Sequence, residues 1–410
     1  MQMKTTNATS PNRKQLRACL LALALPFAHG ASAGGLYIQE LADSHQGSAN
    51  AGAQALGTDP SAIFHNPAAL SQLPGRQLSI GGGAILGNVE FGPSSDTPVP
   101  GGDGGEQAST APYLGTYYSH QLNDRVTFGA GLFSVSGAAL DPSDSWTGRF
   151  QVQEIELLTL TSVVGLSYRF NDQWSVGASV GVTYGSLDFT LAAPNPLGGE
   201  GQIDLDGDDI APVAILGVHY KADDRLSFGV TAFSGYDLEL GGDLDVEPPG
   251  LSISTDTELD FAAAVRAGMA YQASEKWTLM GSVGWEDWST LDNLTISADR
   301  GSAAVPRNWD DTYYASIGFR YQANDDLMLQ AGMAYDTNPV DATDRTADTP
   351  IDRQVRLAAG AEYQIRDNMK LRGALTYVDL GSGKIRSSTL DGEYDQNELL
   401  FISVGLQVAF

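Results

Sequence analysis

The chain has 410 residues, enough for two or three soluble domains or one large barrel. Its formal net charge of −27, from 50 acidic and 23 basic residues, disfavours a phosphate-binding surface and therefore nucleic acid as a partner. The 47 glycines, with abundant Tyr and Thr, suit a β protein better than a helical one.

In chain order, the first element is a secretory signal. Lys4, Arg13, Lys14 and Arg17 form a basic region, residues 18–27 a short apolar core, and Ala31-Ser32-Ala33 a small-x-small cleavage site. Cleavage would make Gly34 the new N-terminus and, by removing four bases and no acid, take the net charge to −31. Cys19 is the single cysteine and lies in the signal, so the mature chain would have no disulfide, thiol nucleophile or thiolate metal site. Arg17 just before it, and the apolar core after it, argue against lipid modification of Cys19. No later stretch approaches the ~20 apolar residues of a spanning helix. The expected destinations are periplasm, exterior or outer membrane.

Residues 34–75 show no strand-length alternation and are dominated by small residues, from Gly47, Ala49 and Ala51 to Ala55 and Gly57. From residue 76 onward the apolar residues alternate, the period of a strand with two unlike faces. The C-terminus places Leu400, Ile402, Val404, Leu406, Val408 and Phe410 on one face and Ser403, Gly405 and Gln407 on the other. Five times a Tyr is followed, six positions on, by a large apolar residue across a polar turn. The pairs are Tyr168/Trp174, Tyr220/Leu226, Tyr271/Trp277, Tyr321/Leu327 and Tyr363/Met369. A sixth turn at 122–124 fits less strictly. The unit recurs about every fifty residues, as strand, tight turn, strand and longer loop. Longer Gly-, Pro- and Asp-rich loops are expected near 93–110, 138–151, 191–210, 241–252, 298–306, 338–351 and 388–394. Six short turns and seven loops imply fourteen strands. An even count, with short turns on one side and long loops on the other, predicts an all-β, 14-stranded antiparallel transmembrane β-barrel over 76–410, its turn aromatics forming an interfacial girdle. A soluble propeller or sandwich would need shorter strands.

The segment before the barrel ends in Asp59-Pro60-Ser61-Ala62-Ile63-Phe64-His65-Asn66-Pro67-Ala68-Ala69. Here the sequence resembles the FadL/TodX family of outer-membrane transporters of hydrophobic compounds, with Ala69 standing where many members carry Gly. The resemblance continues through Trp146-Thr147-Gly148-Arg149-Phe150 and Trp285-Glu286-Asp287-Trp288-Ser289. It runs on through Gly332-Met333-Ala334-Tyr335-Asp336, Pro339-Val340 and Pro350-Ile351-Asp352-Arg353. It implies an N-terminal plug (hatch) at 34–75 carrying Asn66, Pro67 and Ala68, with Gly34 reaching the lumen. It also implies passive uptake of hydrophobic molecules, long-chain fatty acids first, with alkanes or monoaromatic hydrocarbons as the alternative. Capture would occur between loops of the outer membrane's external face, followed by lumen binding and sideways release where the third strand kinks. That strand runs about 125–137, and Gly137 is the candidate kink because a strand glycine often marks a bulge.

On the inward phase lie Phe133, Val135, Val163, Phe233, Met280, Met328 and Phe401, which could contact an alkyl chain or pack against the plug. A ligand carboxylate would call for a bidentate Arg. Arg149, Arg266 and Arg356 are the candidates, with pairing to carboxylates such as Glu258, Asp260, Glu286 and Glu362 as the competing role. Arg320 and Arg372 point inward nearer the short turns. Gly177-Ala178-Ser179-Val180-Gly181 matches a hydrolase pattern, but in mid-strand rather than at the strand-to-helix elbow the chemistry needs. His45, His65, His120 and His219 are too dispersed to suggest a base or metal site. Asp204, Asp206 and Asp208 resemble half a calcium loop without its distal Glu, a weak metal candidate. No cofactor or enzymatic activity is implied. Lipid and lipopolysaccharide, and the barrel-assembly machinery reading the strand that ends at Phe410, are the expected partners of a monomer. The rival roles are an adhesin or structural barrel, a lipid hydrolase using Ser179, and an aqueous porin.

Overall fold

The computed structural model describes residues 36–195, 198–299 and 301–410; the expected signal at 1–33 and Gly34 lie outside them. Fourteen antiparallel wall strands close on themselves. They are β1 (Arg76–Pro93), β2 (Ala111–Gln121), β3 (Val126–Phe133, resuming at Gly137–Leu140), β4 (Glu154–Arg169) and β5 (Trp174–Pro194). Then come β6 (Glu200–Lys221), β7 (Leu226–Phe233 and Tyr236–Glu247), β8 (Leu251–Phe261 and Ala264–Gln272), β9 (Trp277–Glu286) and β10 (Thr312–Gln322). The circuit ends with β11 (Leu327–Asp336), β12 (Gln354–Arg366), β13 (Met369–Asp379) and β14 (Asp391–Ala409). Closure is explicit in the register, where β1 pairs with β14 from Gln77↔Ala409 to Pro93↔Gly392.

Five of the six short turns are fixed by their first polar side chain; the turn between Tyr363 and Met369 instead has Gln364 Nε2 donating to Arg366 O. Asn171 Oδ1 accepts from the backbone N–H of Gln173 (2.9 Å) and Trp174 (2.8 Å). Asp223 does the same for Arg225 and Leu226, Asn324 for Asp326 and Leu327, and Ser274 for Lys276 and Trp277. This is the reason Asn, Asp and Ser recur at that position. The less regular turn obeys the same rule, with Asn123 Oδ1 accepting from Arg125 and Val126. Aromatics gather beside these turns, with Trp174 on Tyr220 at 4.4 Å and Trp277 on Tyr321 at 4.6 Å. Outward residues such as Val164, Val180, Leu216, Ile317 and Val404 are exposed, the apolar belt a barrel turns to lipid.

Several expected loops are strand instead. Residues 191–194 and 200–210 belong to the β5–β6 hairpin, whose strands are 21 and 22 residues long. Most of 241–252 belongs to the β7–β8 hairpin, and 301–306 forms a second strand against Asn293–Ala298. Abundant Gly, Pro and Asp predict loop there, although Ile203-Asp204-Leu205-Asp206 and Leu244-Asp245-Val246 do alternate over short runs. Above the membrane, however, a strand need not carry an apolar face. Crossing takes only ~9–11 residues, so these hairpins project well beyond it.

Inside the wall lies the segment from residue 36 to 75, with a short helix at Ala62–His65 and a 3-10 helix at Pro67–Gln72. Its partners come from strands all around the circle. Gln46 bonds Tyr113 of β2 and Ser403 of β14, while Ser179 of β5 donates to Ile63 O. Thr231 of β7 donates to His65 O, and Tyr314 of β10 to Ala49 O. A segment bonded to opposite walls can only lie within the barrel. The wall yields room for it through small residues: a Cβ on Gly229 would stand 1.8 Å from Gln54 O.

Candidate functional site

β3 breaks at Ser134-Val135-Ser136 and resumes at Gly137. The bend thus falls just before Gly137, which opens the second half of the strand instead of supplying a left-handed kink. The N-terminal segment fills the breach. Ile38 N–H donates to Val135 O at 2.8 Å, and Tyr37 forms a β-bridge with Ser136. Tyr37 then reaches across the lumen, its hydroxyl donating to Ala262 O at 2.6 Å. Ala262 lies in the interruption of β8, beside the interruption of β7 where Gly235 adopts φ +69°. The Tyr37 ring packs on Trp288 at 5.0 Å and Phe233 at 5.9 Å. Three wall interruptions therefore converge on one residue of the segment.

Against this breach lies a cavity of about 180 Å³, bordered by Ser134, Ser136 and Gly137 of the break itself and walled by Leu36, Ile38, Tyr113, Ala138, Leu399 and Phe401. A smaller void of about 40 Å³ on the loop side shares Leu36, Ala138 and Leu157 with it and is apolar through Phe189, Leu291 and Trp309. A third, about 30 Å³, lies deeper and shares Tyr37 and Ile38, with Phe64, Val135 and Phe233 around it. Three apolar spaces run from beneath the loops to the strand break, separated by a few side chains of the N-terminal segment and β3–β4.

Every arginine candidate already holds a carboxylate. Arg356, buried, donates to Asp336, reaches Gln354 Oε1 at 2.5 Å, and stands 3.4 Å from Glu40 Oε1 of the N-terminal segment. Burial raises Glu40 above the usual carboxylate range, although Arg356 opposes the shift. Arg266 pairs with Glu286 at 2.5 Å, and the second oxygen of Glu286 accepts from Trp288 Nε1 at 2.9 Å. Arg149 is not in the lumen site. It braces the loops, bidentate on Glu200 (2.8 and 2.5 Å) and donating to Pro100 O and Trp146 O. Arg320 donates to Ser44 O and Arg372 to Asp59 at 2.7 Å, both fastening the N-terminal segment to the wall.

Of the apolar candidates, Phe401 lines the large cavity, and Val135 and Phe233 the deep one. Phe133 is packing, stacked on Tyr117 at 5.6 Å and tilted against Phe64 at 5.0 Å. Val163 and Met280 are buried, and Met328 lies near the short turns beside Thr58. Asn66 caps the 3-10 helix by accepting from Ala68 N–H, with Pro67 in the first turn; its amide donates to Gln54 O and Val218 O. Asp204, Asp206 and Asp208 sit on β6, not in a loop, so they cannot wrap an ion as a calcium loop does. Among the described residues no group of three or more His, Cys, Asp or Glu could hold a metal. Histidines remote in sequence do meet: His65 bonds Asp43 at 2.5 Å and its ring lies 5.0 Å from that of His45. Glu40, Asp43, Asp59 and Tyr37 were not singled out from sequence. The available signal was acids and an aromatic in a stretch otherwise built of small residues.

A closed fourteen-stranded wall with a lipid-facing belt and an apolar internal cavity defines an integral outer-membrane barrel of the transport class. The family model for "Outer membrane protein transport protein (OMPP1/FadL/TodX)" matches residues 24–406, and the chain belongs to that family. It is 24% identical to a putative outer membrane protein of Neisseria meningitidis serogroup B over 92% of this chain and 93% of that one. It is 23% identical to the long-chain fatty acid transport protein of Escherichia coli K12, covering 90% and 92%. Among solved structures, a Pseudomonas aeruginosa FadL homologue superposes with a TM-score of 0.85 at 20% identity, covering 92% of this chain and all of that one. The Pseudomonas putida toluene transporter TodX gives 0.70 at 20% identity over 93% and 99%.

Proposed function

We propose that the protein is a passive channel that takes hydrophobic molecules from outside the cell to the outer-membrane interior. A molecule caught beneath the loops enters the apolar cavity, displaces the residues 36–38 that seal the β3 break, and leaves sideways into lipid. Residues 34–75 act as the plug. The observation that carries this reading is the placement of the cavity, which is lined by the broken strand and by the segment that closes the breach. Long-chain fatty acids, as the fatty-acid-transporting relatives suggest, and hydrocarbons, as the toluene transporters suggest, both have the apolar bulk the cavity rewards, ~0.8 kcal/mol per buried methylene. No catalytic step is needed. The Ser179 hydroxyl is occupied with Ile63 O, which disfavours a hydrolase role. Outward, the belt would meet lipid and lipopolysaccharide, and the strand ending at Phe410 would be what the assembly machinery reads, with a monomer as the working unit.

The test is uptake of labelled fatty acid and of labelled toluene by cells lacking their own transporter, with this protein, without it, and with Ala138→Trp filling the cavity. Saturable uptake of either compound that falls in the Trp variant is expected. Uptake equal with and without the protein would reject the channel.

A further inference from the structure

We propose that the lumen site selects uncharged hydrophobic molecules and turns carboxylates away, with Glu40 and Asp336 as the selecting residues. The proposal rests on the channel reading above. Arg356 is the one basic residue on the border of the large cavity among the described residues; Glu40, the exposed Glu156 and Asp348, itself paired with Arg307, border it as well. Arg356 is already met by Asp336 from the wall and by Glu40 from the plug. Should Glu40 carry a proton, Asp336 still matches Arg356 one for one. The next guanidinium inward, Arg266, is held by Glu286. Neither offers surplus positive charge.

A carboxylate entering this space must shed its water and is repaid only by an unpaired cation with good hydrogen-bond geometry. Here it would meet no guanidinium without a carboxylate of its own, since Arg307 on the adjoining void is likewise held by Asp348. To reach Arg356 it would have to evict Glu40, two residues from the Ile38 that seals the β3 break. An uncharged molecule faces none of that cost. Size points the same way: at about 180 Å³ the cavity is close to the ~150 Å³ apolar void that takes up one benzene ring.

The experiment is calorimetric titration of the mature full-length protein in detergent, near neutral pH, with toluene, benzoate and benzylammonium, which share one ring and differ in charge. Toluene is expected to bind at least about tenfold tighter than benzoate, less than the worth of one charge-assisted hydrogen bond. Glu40→Gln and Asp336→Asn each release part of Arg356, so each should narrow that ratio by about tenfold by tightening benzoate. Glu40→Gln carries the test alone if Asp336→Asn does not give a folded barrel by heat-modifiable gel mobility. Benzoate binding as tightly as toluene in the unaltered protein overturns the selectivity but leaves the channel reading standing. So does an unchanged ratio in folded variants, or benzylammonium binding tightest. Binding of none of the three overturns both.

Discussion

Asn66 engages both ends of its amide, donating to Gln54 O (2.7 Å) and Val218 O (3.0 Å) and accepting from Ala68 N–H (3.0 Å). Asn66→Ala leaves these buried groups unmatched, a cost of about 2 kcal/mol falling on the plug and not on the wall. Hydrogen exchange should speed up across residues 59–73 while heat-modifiable gel mobility persists; unchanged exchange would remove Asn66 from that role. His45 makes a pH prediction. Its ring is fully buried, both nitrogens are without hydrogen-bond partners, and burial, helped by His65 and Arg320, pushes it down from 6.5 to about 3. The unfolded ring takes up a proton below 6.5 while the folded one does not. Plug stability is therefore full above that pH and lost progressively as pH falls from 6.5 towards 3. Asp43 adds to the loss further down, because His65 beside it holds its carboxyl low against the opposing effect of burial. His45→Phe should flatten the dependence of plug exchange between neutral pH and the middle of that window, and an undiminished slope would assign it elsewhere. The arginines show the limit of reading single residues. Inward phase placed Arg266 and Arg356 correctly, but which carboxylate each would meet depends on strand register and on a plug residue 316 positions away, information that periodicity does not hold.

Elements were legible where two constraints acted together. A wall strand has to present an apolar face to lipid and a short turn has to cap its own N–H groups, so both leave marks at fixed spacing, as at Tyr271-to-Trp277. The hairpin tops that replace the loops expected at 191–210 and 241–252 lie beyond the lipid belt, and their Gly- and Asp-rich composition outweighs their short alternating runs. The N-terminal segment left only small residues and the Asn-Pro-Ala string, because its fold is dictated by the wall it touches. That dependence is testable at Gly229, whose missing Cβ admits Gln54 O. Gly229→Ala should push the segment from the wall at about 1–3 kcal/mol. The expected result is faster exchange at residues 50–56 with an intact barrel. Unaltered exchange would mean that the close approach has slack that can absorb a methyl group.

At the scale of the molecule, the wall is held by continuous backbone ladders and the segment within it mainly by side-chain hydrogen bonds and ion pairs. Strand ladders close the wall through a full circuit, whereas at the β3 breach the ladder is replaced by Ile38 N–H on Val135 O and the Tyr37 bridge on the segment's side, and by side-chain bonds from Thr159 and Tyr236 to Ser136 on the wall's side. The interruption that the N-terminal segment fills is thus also the one bordered by the cavity. The central claim, sideways exit through that breach, is tested most directly by locking it. Tyr37 and Ser136 are bridge partners, so their Cβ atoms lie about 4.5–5.5 Å apart, near disulfide reach. With Tyr37→Cys and Ser136→Cys in a chain whose single native cysteine, Cys19, is replaced by Ser, uptake of labelled hydrophobe should be lost in the oxidised form and return on reduction. Equal uptake in the oxidised and reduced forms, with the crosslink verified by mass, would contradict exit through the β3 break.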